Sequence, residues 1–256
     1  MADVVLKVIN IEKYYGYRGN VVKAIDNISF QVEEGEFVGI MGPSGSGKTT
    51  LLNCISTIDK VTSGNILIDN EDITEHNSIK TSKFRREKLG FIFQEVNLLD
   101  TLTSFENIAL ALTILKINKK EIEKRIKEVA KTLNIEDILE KFPFQLSGGQ
   151  KQRVAAARAI ITRPSLVLAD EPTGALDSMA SKILLESFQN LNKDYNSTIM
   201  MVTHDAYSAS FAKRILFIKD GKIFNEILRG NDSRKEFFDR IIEVVTLLGG
   251  ESLTKN

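Results

Sequence analysis

Cysteine and tryptophan are almost missing from this 256-residue chain, which has one Cys and no Trp. A single cysteine excludes an intrachain disulfide and a multi-cysteine zinc site, and it favours a reducing, cytosolic compartment. Cys54 lies at helical spacing among leucine and isoleucine residues. We therefore expect a small, buried core residue at this position.

An excess of charge of one sign is also missing. The 34 Lys and Arg residues balance the 34 Asp and Glu residues and give a formal net charge of +0. This balance argues against a protein that coats nucleic acid. No apolar run approaches the roughly 20 residues of a membrane-spanning helix, and the start of the chain lacks the features of a signal peptide. We expect a globular protein with neither a membrane span nor a nucleic-acid partner.

Patterns typical of strands and helices alternate along the chain. Short apolar runs predict buried strands at Phe37–Met41, Leu166–Ala169 and Thr198–Val202. Helical patterns occur at Lys48–Ile58 and Ala180–Leu191, and residues from about 97 to 163 are mainly helical, with an amphipathic segment at Asn118–Leu133. The chain is therefore predicted to form an α/β sheet domain that carries a helical insertion.

A glycine-rich segment joins the first of these strands to the first helix. The phosphate-loop pattern G-x-x-x-x-G-K-[ST] is matched by Gly42, Pro43, Ser44, Gly45, Ser46, Gly47, Lys48 and Thr49, and Thr50 follows in the helix. Glycines allow successive backbone N–H groups to point at an anion, and the helix N-terminus adds partial positive charge. We expect Lys48 at the β- and γ-phosphates and the Thr49 hydroxyl at Mg²⁺. The alternative, a glycine-rich turn with an exposed lysine, is disfavoured by the flanking strand and helix.

Two later strands end in reactive side chains. Leu166–Ala169 leads to Asp170, which suits Mg²⁺, and to Glu171, which suits a base that activates water. A strand ending at Thr203 leads to His204. Because ligands of open parallel sheets bind at the carboxyl ends of the strands, we expect these groups to lie beside the phosphate loop. Taken alone, the acidic pair fits a solvated turn equally well.

A second glycine-containing segment precedes another helical pattern. Its residues are Leu146, Ser147, Gly148, Gly149 and Gln150. The serine can cap the helix, and the glycines expose backbone N–H groups at its positive end. This segment predicts a second anion site, with a plain helix cap as the alternative.

Taken in order, these motifs resemble those of the ATP-binding cassette (ABC) ATPases, and the resemblance covers nearly the whole chain. It implies an α/β fold, in which a P-loop NTPase (RecA-like) core carries an N-terminal antiparallel β subdomain and an inserted helical signature subdomain. Residues 1–228 would form the nucleotide-binding domain, with the helical subdomain at about 97–163. Residues 229–256 would form a C-terminal helical extension.

The resemblance assigns roles to several side chains. Glu171 resembles the catalytic base and His204 the switch histidine. Gln94 resembles the glutamine of the loop between the sheet and helical subdomains. The resemblance implies that this glutamine takes part in catalysis and, together with Asp170, in Mg²⁺ binding. Tyr15 occupies the position of the aromatic residue that stacks on adenine, and the adjacent Tyr14 is an alternative for this role.

The resemblance also implies a partner. Two copies would pair head to tail, with each ATP held between the phosphate loop of one copy and Leu146–Gln150, the signature segment, of the other. Ser147, Gly148, Gly149 and Gln150 would then contact the partner's nucleotide, and Asp177 would lie in the dimer-contact loop. Hydrolysis removes the γ-phosphate contact, so the pair opens. Intact Glu171 and His204 favour a homodimer with two working sites.

Further segments resemble subgroups of the family. Two segments, Gln94–Leu99 and Thr103–Asn107, resemble the macrolide-export and lipoprotein-release group. Three others resemble the bacitracin-type antimicrobial-peptide resistance transporters: Ser56–Asp59, Asp100–Thr103 and Arg229–Val245. Asp100 departs from the proline usual in lipoprotein release. The implied function is an ATPase at the cytoplasmic face of the cell membrane that powers a separate permease docked near Gln94–Glu106.

Other functions are weighed against this one. A lipoprotein-release or macrolide-export ATPase, or a membrane-docked cassette with a cell-division role, would use the same motifs. DNA-repair members split the cassette around coiled coils and ribosome-acting members fuse two cassettes, and this chain has neither feature. A small-molecule kinase would share the phosphate loop but would leave the signature segment without a purpose.

Two expectations concern less informative residues. Ser233 and Glu236 have the spacing of a capping box, before an apolar helical stripe made of Phe237, Phe238, Ile241, Ile242, Val245 and Leu248. We expect a terminal helix docked on its own domain, with a contact surface for a partner as the alternative. His76 lies in a polar stretch and is expected at the surface.

Overall fold

The structure is a computed structural model that describes residues 3–16 and 21–250. Its strands are β1 (Val4–Tyr15), β2 (Val22–Glu33), β3 (Phe37–Met41), β4 (Ser63–Ile68), β5 (Glu71–Asp72), β6 (Leu89–Ile92), β7 (Leu166–Asp170), β8 (Ile199–Val202), β9 (Arg214–Lys219) and β10 (Lys222–Leu228). Its α-helices are α1 (Lys48–Ile55), α2 (Ser78–Lys88), α3 (Ser104–Ile114), α4 (Lys119–Thr132), α5 (Gly148–Ile160), α6 (Ser178–Asp194), α7 (Ala206–Ala209) and α8 (Arg234–Gly250).

The strands form two sheets. The smaller is antiparallel with the order β2-β1-β4-β5, and the larger has the order β10-β9-β3-β8-β7-β6. In the larger sheet all neighbours are parallel except β10, which pairs antiparallel with β9. The predicted strands at β3, β7 and β8 are confirmed, and β8 pairs with both of the others. The three strand ends that carry the candidate site residues are therefore neighbours.

Alternating side chains of the large sheet enter two separate cores. Phe37 and Met41 of β3 pack in a cluster that includes residues of α3, α4, α5, α6 and α8. Val38 and Ile40 pack in a second cluster with α1 and the antiparallel sheet. Burial on both faces explains the continuous apolar runs of β3, β7 and β8, and it fixes the position of the loops at their carboxyl ends.

The helical insertion lies between β6 and β7, and α3, α4 and α5 belong to it. The amphipathic helix predicted at Asn118–Leu133 is confirmed as α4, which Asn118 caps and whose Ile126 and Val129 are buried. A capping box of Thr103 and Glu106 begins α3. These caps satisfy backbone N–H groups that have no partner inside the helix.

The first helix is shorter than the sequence pattern predicts. It ends at Ile55 and not at Ile58, because Thr57 adopts a left-handed backbone with φ 61°. The N–H of Ile58 then donates to the carbonyl of Asn53 at 3.0 Å, as in a left-handed helix end. Cys54, on this helix, is buried as expected.

His76 is not at the surface, so that expectation is wrong. The residue is only 4% exposed, and its ring meets Phe84 edge-on with a centroid distance of 5.6 Å. Its Nε2 lies 3.2 Å from a carboxylate oxygen of Glu71. Phe84, which lies six residues beyond the polar stretch, packs against the His76 ring and explains its burial.

The last helix docks on its own domain, and the capping box is confirmed. Ser233 N–H donates to Glu236 at 2.8 Å, and Glu236 N–H donates to Ser233 Oγ at 3.3 Å. The predicted apolar stripe is partly wrong, because Ile242 and Val245 are exposed and Val244 is the buried valine. No helix in the described ranges is long and apolar enough to cross a membrane.

Candidate nucleotide-binding and hydrolysis site

Three adjacent strands deliver the candidate residues to one edge of the large sheet. The register pairs Val202 of β8 with Ile40 of β3 on one side and with Asp170 of β7 on the other. Just beyond these pairs, Thr203 N–H donates to Ile40 O at 3.1 Å and Glu171 N–H donates to Val202 O at 2.9 Å. The predicted convergence of the phosphate loop, the acidic pair and the histidine strand is thus confirmed by the backbone.

The phosphate loop has a shape that glycine alone permits at two positions. Gly42 has φ 152°, and a Cβ there would lie 2.0 Å from Ile218 O. Gly47 has φ 102°, and a Cβ there would lie 2.4 Å from the carbonyl oxygen of Ala24. Both clashes are with backbone, which cannot move aside. The loop therefore curls tightly into the start of α1, where unpaired N–H groups favour an anion.

The remaining loop residues divide into exposed and buried groups. Exposed residues are Pro43, Ser44, Gly45 and Thr49, whereas Gly47 and Thr50 are half-buried. Ser46 is buried, and its Oγ has no hydrogen-bond partner among the described residues. Thr49 is an exposed residue in the first turn of α1, and its side chain carries the hydroxyl that a ligand to a phosphate-bound cation requires.

Lys48 is buried with its ammonium folded back over the loop. Its Nζ donates to Gly42 O at 2.9 Å and to Pro43 O at 2.8 Å. Burial lowers the pKa of Lys48, and the nearby carboxylates of Glu171 and Asp170 oppose that shift. The same ammonium is therefore placed between the loop and the acidic pair, where phosphate oxygens can replace the two carbonyls.

Burial is unfavourable for the charged form of Asp170. Its Oδ1 is buried without a hydrogen-bond partner in the described part of the chain. Burial raises its pKa, Glu171 raises it further, and Lys48 opposes the shift. An unpaired carboxylate oxygen at the end of β7 fits Mg²⁺, which binds through one or two protein oxygens, water and phosphates. Within the described ranges there is no cluster of three or more His, Cys, Asp and Glu side chains that could hold a metal alone.

Glu171 and His204 lie in contact. His204 Nδ1 is 2.9 Å from Glu171 Oε2, and the histidine side chain is largely exposed. Glu171 has φ 44°, a left-handed conformation that is uncommon for a residue other than glycine. The hydrogen bond from its N–H to Val202 holds this backbone in place. The carboxylate is thus directed at the imidazole that follows the neighbouring strand.

The loop after β6 meets the acidic strand through two glutamines. Gln94 was predicted in this position, and its Nε2 lies 2.9 Å from where a Cβ on Gly174 would be. Gln152 was not predicted. Its buried Nε2 donates to Phe93 O and to Pro172 O, both at 2.8 Å. This amide of α5 therefore joins the residue before Gln94 to the residue after Glu171.

The signature segment begins α5 with a reciprocal cap. Gln150 N–H donates to Ser147 Oγ at 3.3 Å, and Ser147 N–H donates to Gln150 Oε1 at 2.9 Å. Ser147 and Gly148 are exposed. Gly149 is buried, and a Cβ on it would lie 2.8 Å from Ala180 Cβ. The exposed half of the segment is therefore accessible from outside the molecule.

Asp177 lies close to this segment at the start of the next helix. Its Oδ1 accepts from Ala180 N–H at 2.8 Å and so caps α6. The preceding Leu176 lies 3.5 Å from where a Cβ on Gly148 would be. The structure therefore brings Asp177 and the signature segment to one surface, which is exposed at both.

Tyr15 and Tyr14 differ in how their rings are held. The Tyr15 hydroxyl donates to Asp59 at 2.6 Å, and Lys13 Nζ lies 4.8 Å from the ring centroid. Burial and Asp59 raise the pKa of Tyr15 to about 12. The Tyr14 hydroxyl donates to Glu12 at 3.3 Å. Tyr15 remains exposed, so its ring is available for stacking.

A glycine-shaped phosphate loop at a helix start, facing an acidic strand end, defines a P-loop nucleoside triphosphatase. The ABC transporter family profile matches residues 25–174, more than half of the chain. The chain belongs to the ABC transporter family: it is an ATPase and a nucleotide-binding subunit of an ABC transporter.

Similar proteins share nearly the full length. The chain is 52% identical to the ABC transporter ATP-binding protein YxdL of Bacillus subtilis, over 96% of this chain and 95% of YxdL. It is 50% identical to the bacitracin export ATP-binding protein BceA of Halalkalibacterium halodurans, over 96% of this chain and 97% of BceA. A dimeric post-hydrolysis structure of the ATP-binding cassette MJ0796 bound to ADP and Pi has a TM-score of 0.78 at 41% identity, over 87% of this chain and 98% of that one.

Proposed function

We propose that this chain hydrolyses ATP to power a separate membrane permease that exports or detoxifies antimicrobial peptides of the bacitracin type. The observation that carries this proposal is the full-length similarity to the bacitracin export ATP-binding protein, at 50% identity. Asp100 adds support, because the lipoprotein-release members to which this region is otherwise similar usually carry proline there. The chain would act at the cytoplasmic face of the cell membrane.

ATP binding follows from the residues around the phosphate loop. The loop N–H groups and Lys48 bind the β- and γ-phosphates, with the ammonium moving from Gly42 O and Pro43 O to phosphate oxygens. Thr50, half-buried in α1, completes the loop, and Tyr15 stacks on the adenine. Each of these contacts replaces an interaction with water or backbone by one with the nucleotide.

Hydrolysis would use the acidic pair and the histidine. Glu171 accepts the proton of the attacking water, and His204 orients Glu171 through the 2.9 Å contact and reaches the γ-phosphate. Thr49, Asp170 and Gln94 would hold Mg²⁺ with the phosphates. When bound, Mg²⁺ neutralises the charge that develops on the transferred phosphoryl group.

The homodimer proposal rests on the signature segment. Ser147 and Gly148 are exposed at the N-terminus of α5, so their hydroxyl and N–H groups can meet a γ-phosphate held by a second copy. Gly149 and Gln150 support that cap from within the helix. Asp177 would lie at the same contact. Loss of the γ-phosphate removes the ligand that both copies share, so the pair opens.

The permease would dock where the helical insertion meets the sheet. A cleft there of about 260 Å³ is lined by Phe91, Phe93, Leu110, Ala111 and Ile114 among others. Arg158 of α5 donates to Asn97 O at 2.8 Å and to Val96 O at 3.1 Å, and so ties the loop after Gln94 to the insertion. Motion of a permease helix in the cleft would thus reach Gln94.

The proposal is tested by isolating the tagged chain from detergent-solubilised membranes of its host. We expect one integral-membrane protein to co-purify, and bacitracin to stimulate the ATPase activity of the complex in lipid nanodiscs. The matched control is the Glu171→Gln complex, which should assemble without activity. Recovery only from the soluble fraction would contradict the transport function. A complex stimulated by a macrolide or a lipoprotein, but not by bacitracin, would assign the permease to another cargo.

A further inference from the structure

The last helix has two apolar rows, and the core covers only one. Phe237, Ile241, Val244 and Leu248 are buried against the domain. Phe238, Ile242 and Val245 form the second row, one helical face apart. Ile242 is 42% exposed and Val245 is 37% exposed. The first row is enough to dock α8 on the domain, so the second row needs its own explanation.

The second row lines an open groove that reaches the catalytic residues. The groove has a volume of about 1110 Å³. Met179, in the first turn of α6, is 68% exposed and lies in the same groove. Glu171, Gly174 and His204 line the same groove. The apolar surface is therefore continuous with the residues that face a second copy in the proposed ATP-bound pair.

We propose that a second copy of this chain covers the row formed by Phe238, Ile242 and Val245. The proposal rests on the proposed head-to-tail pair, and it adds a contact that does not involve nucleotide. The occupant follows from continuity, because one groove is lined by His204, Met179 and the row on α8, and the related cassette MJ0796 forms dimers. A two-fold axis brings the same patch of each copy into the interface, so both rows are covered at once.

The contact would change how the pair opens. Burial of the exposed isoleucine and valine side chains lowers the free energy of association, irrespective of the nucleotide present. After hydrolysis, the two ATP-binding seams separate while the α8 rows continue to hold the copies together. The second association is then intramolecular, which raises its effective concentration. Each copy is thereby available for the next ATP without a new encounter.

The test compares two exposed positions on opposite sides of α8. Ile242→Asp introduces a charge into the row, whereas Leu247→Asp introduces the same charge at a leucine that is 62% exposed on the other side. Both are made in the Glu171→Gln background, and the dimer dissociation constant is measured by analytical ultracentrifugation with and without ATP. We expect Ile242→Asp to raise it at least ~10-fold in both conditions, because the two-fold axis would place a charged aspartate from each copy in the apolar contact. Leu247→Asp should leave it unchanged.

The outcomes separate this proposal from the one it rests on. If Glu171→Gln alone fails to dimerise with ATP, the head-to-tail pair itself is contradicted. If Glu171→Gln dimerises and Ile242→Asp has no larger effect than Leu247→Asp, the α8 contact is overturned and the pair stands. Circular dichroism and binding of a fluorescent ATP analogue to the monomer check that both variants are folded. A misfolded Ile242→Asp is replaced by Val245→Asp, read by the same two criteria.

Discussion

His204 Nδ1 lies 2.9 Å from Glu171 Oε2, although the two residues follow different strands. The backbone of Glu171 is left-handed, at φ 44°, and its side chain is directed at His204, which follows β8. The pair therefore combines a candidate base with the group that orients it. A base acts on water only when its geometry is fixed, so the contact is as important as the carboxylate.

His204→Ala should abolish the orientation of Glu171 but not the binding of ATP. We expect ATPase activity to fall by roughly 10²–10⁴-fold, the range typical of a positioned acid–base group. Because the histidine is largely exposed, the free energy of unfolding should change little. ATP affinity measured by calorimetry is the control. Normal turnover in this variant would remove His204 from the mechanism.

Asp170→Asn should stabilise the protein without nucleotide and weaken its response to Mg²⁺. Burial raises the pKa of Asp170, so the folded state binds the proton more tightly than the unfolded chain does. The contribution of such a group to the free energy of unfolding falls as the pH rises above the pKa of the unfolded chain. At neutral pH the charged form therefore destabilises the fold. The neutral amide removes this cost.

Thermal unfolding at neutral pH therefore tests Asp170 without measuring activity. The Tm of Asp170→Asn should exceed that of the wild type in EDTA, and the further rise on adding Mg²⁺ and ATP should be smaller. Asp194→Asn, at the end of α6, serves as a control on another carboxylate. An unchanged Mg²⁺-dependent rise would contradict a metal ligand at Asp170.

Lys48→Ala should weaken ATP binding. The variant loses a charge-assisted contact worth about 1.5–3 kcal/mol, which corresponds to a dissociation constant raised ~10- to 100-fold. Lys120→Ala, at an exposed position of α4, is the matched control and should bind normally. Fluorescence titration with a labelled ATP analogue measures both. Equal affinity in the two variants would show that the ammonium does not reach the phosphates.

Paired substitutions decide between the two adjacent tyrosines. Tyr15→Ala should lower ATP affinity several-fold, whereas Tyr15→Phe should keep most of it, since the ring and not the hydroxyl stacks on the base. Tyr14→Ala should have little effect, because Tyr14 is half-buried whereas Tyr15 is exposed. Competition with GTP gives a second measure of base recognition. A larger loss in Tyr14→Ala would reverse the assignment.

Gln152→Ala should uncouple the loop at Gln94 from the strand at Glu171. Gln152 donates to Phe93 O and Pro172 O, which are next to Gln94 and Glu171 in the chain. It is therefore expected to act on these two residues as a positioning residue. We expect kcat to fall while KM for ATP changes little. Gln152→Glu can keep one acceptor but loses the amide donors, and it should resemble the alanine variant. A change confined to the free energy of unfolding would indicate a purely structural role.

The sequence was most informative where burial and motif agreed. The strand at Phe37–Met41 is apolar at every position except its glycine and is buried on both faces, so its pattern and the loop after it were unambiguous. Capping residues such as Ser147 and Ser233 were equally clear, because their hydrogen bonds are local. The order of the strands in the sheet follows from the long-range pairing of β3 with β8 and β9, which no local pattern records.

Errors arose where distant packing decides the outcome. His76 is buried through Phe84, although its sequence neighbours are polar. Thr57 ends α1 in a left-handed conformation that β-branched residues rarely adopt, so no residue preference marks that end. Val244 and Val245 are indistinguishable by type, and only the angle at which α8 docks selects the first. Gln152 was missed because its partners are carbonyl groups of segments far away in the sequence.

Gly149 and Ala180 define how the molecule can transmit motion. Without a side chain on Gly149, α5 approaches α6 so closely that a single added carbon would overlap Ala180 Cβ. Ser147 caps α5 and Asp177 caps α6, so this close contact lies within the first turns of both helices. In the head-to-tail pair that we propose, a permease that tilts the insertion would push on α6 through this contact and so act on Asp177 as well as on the signature segment.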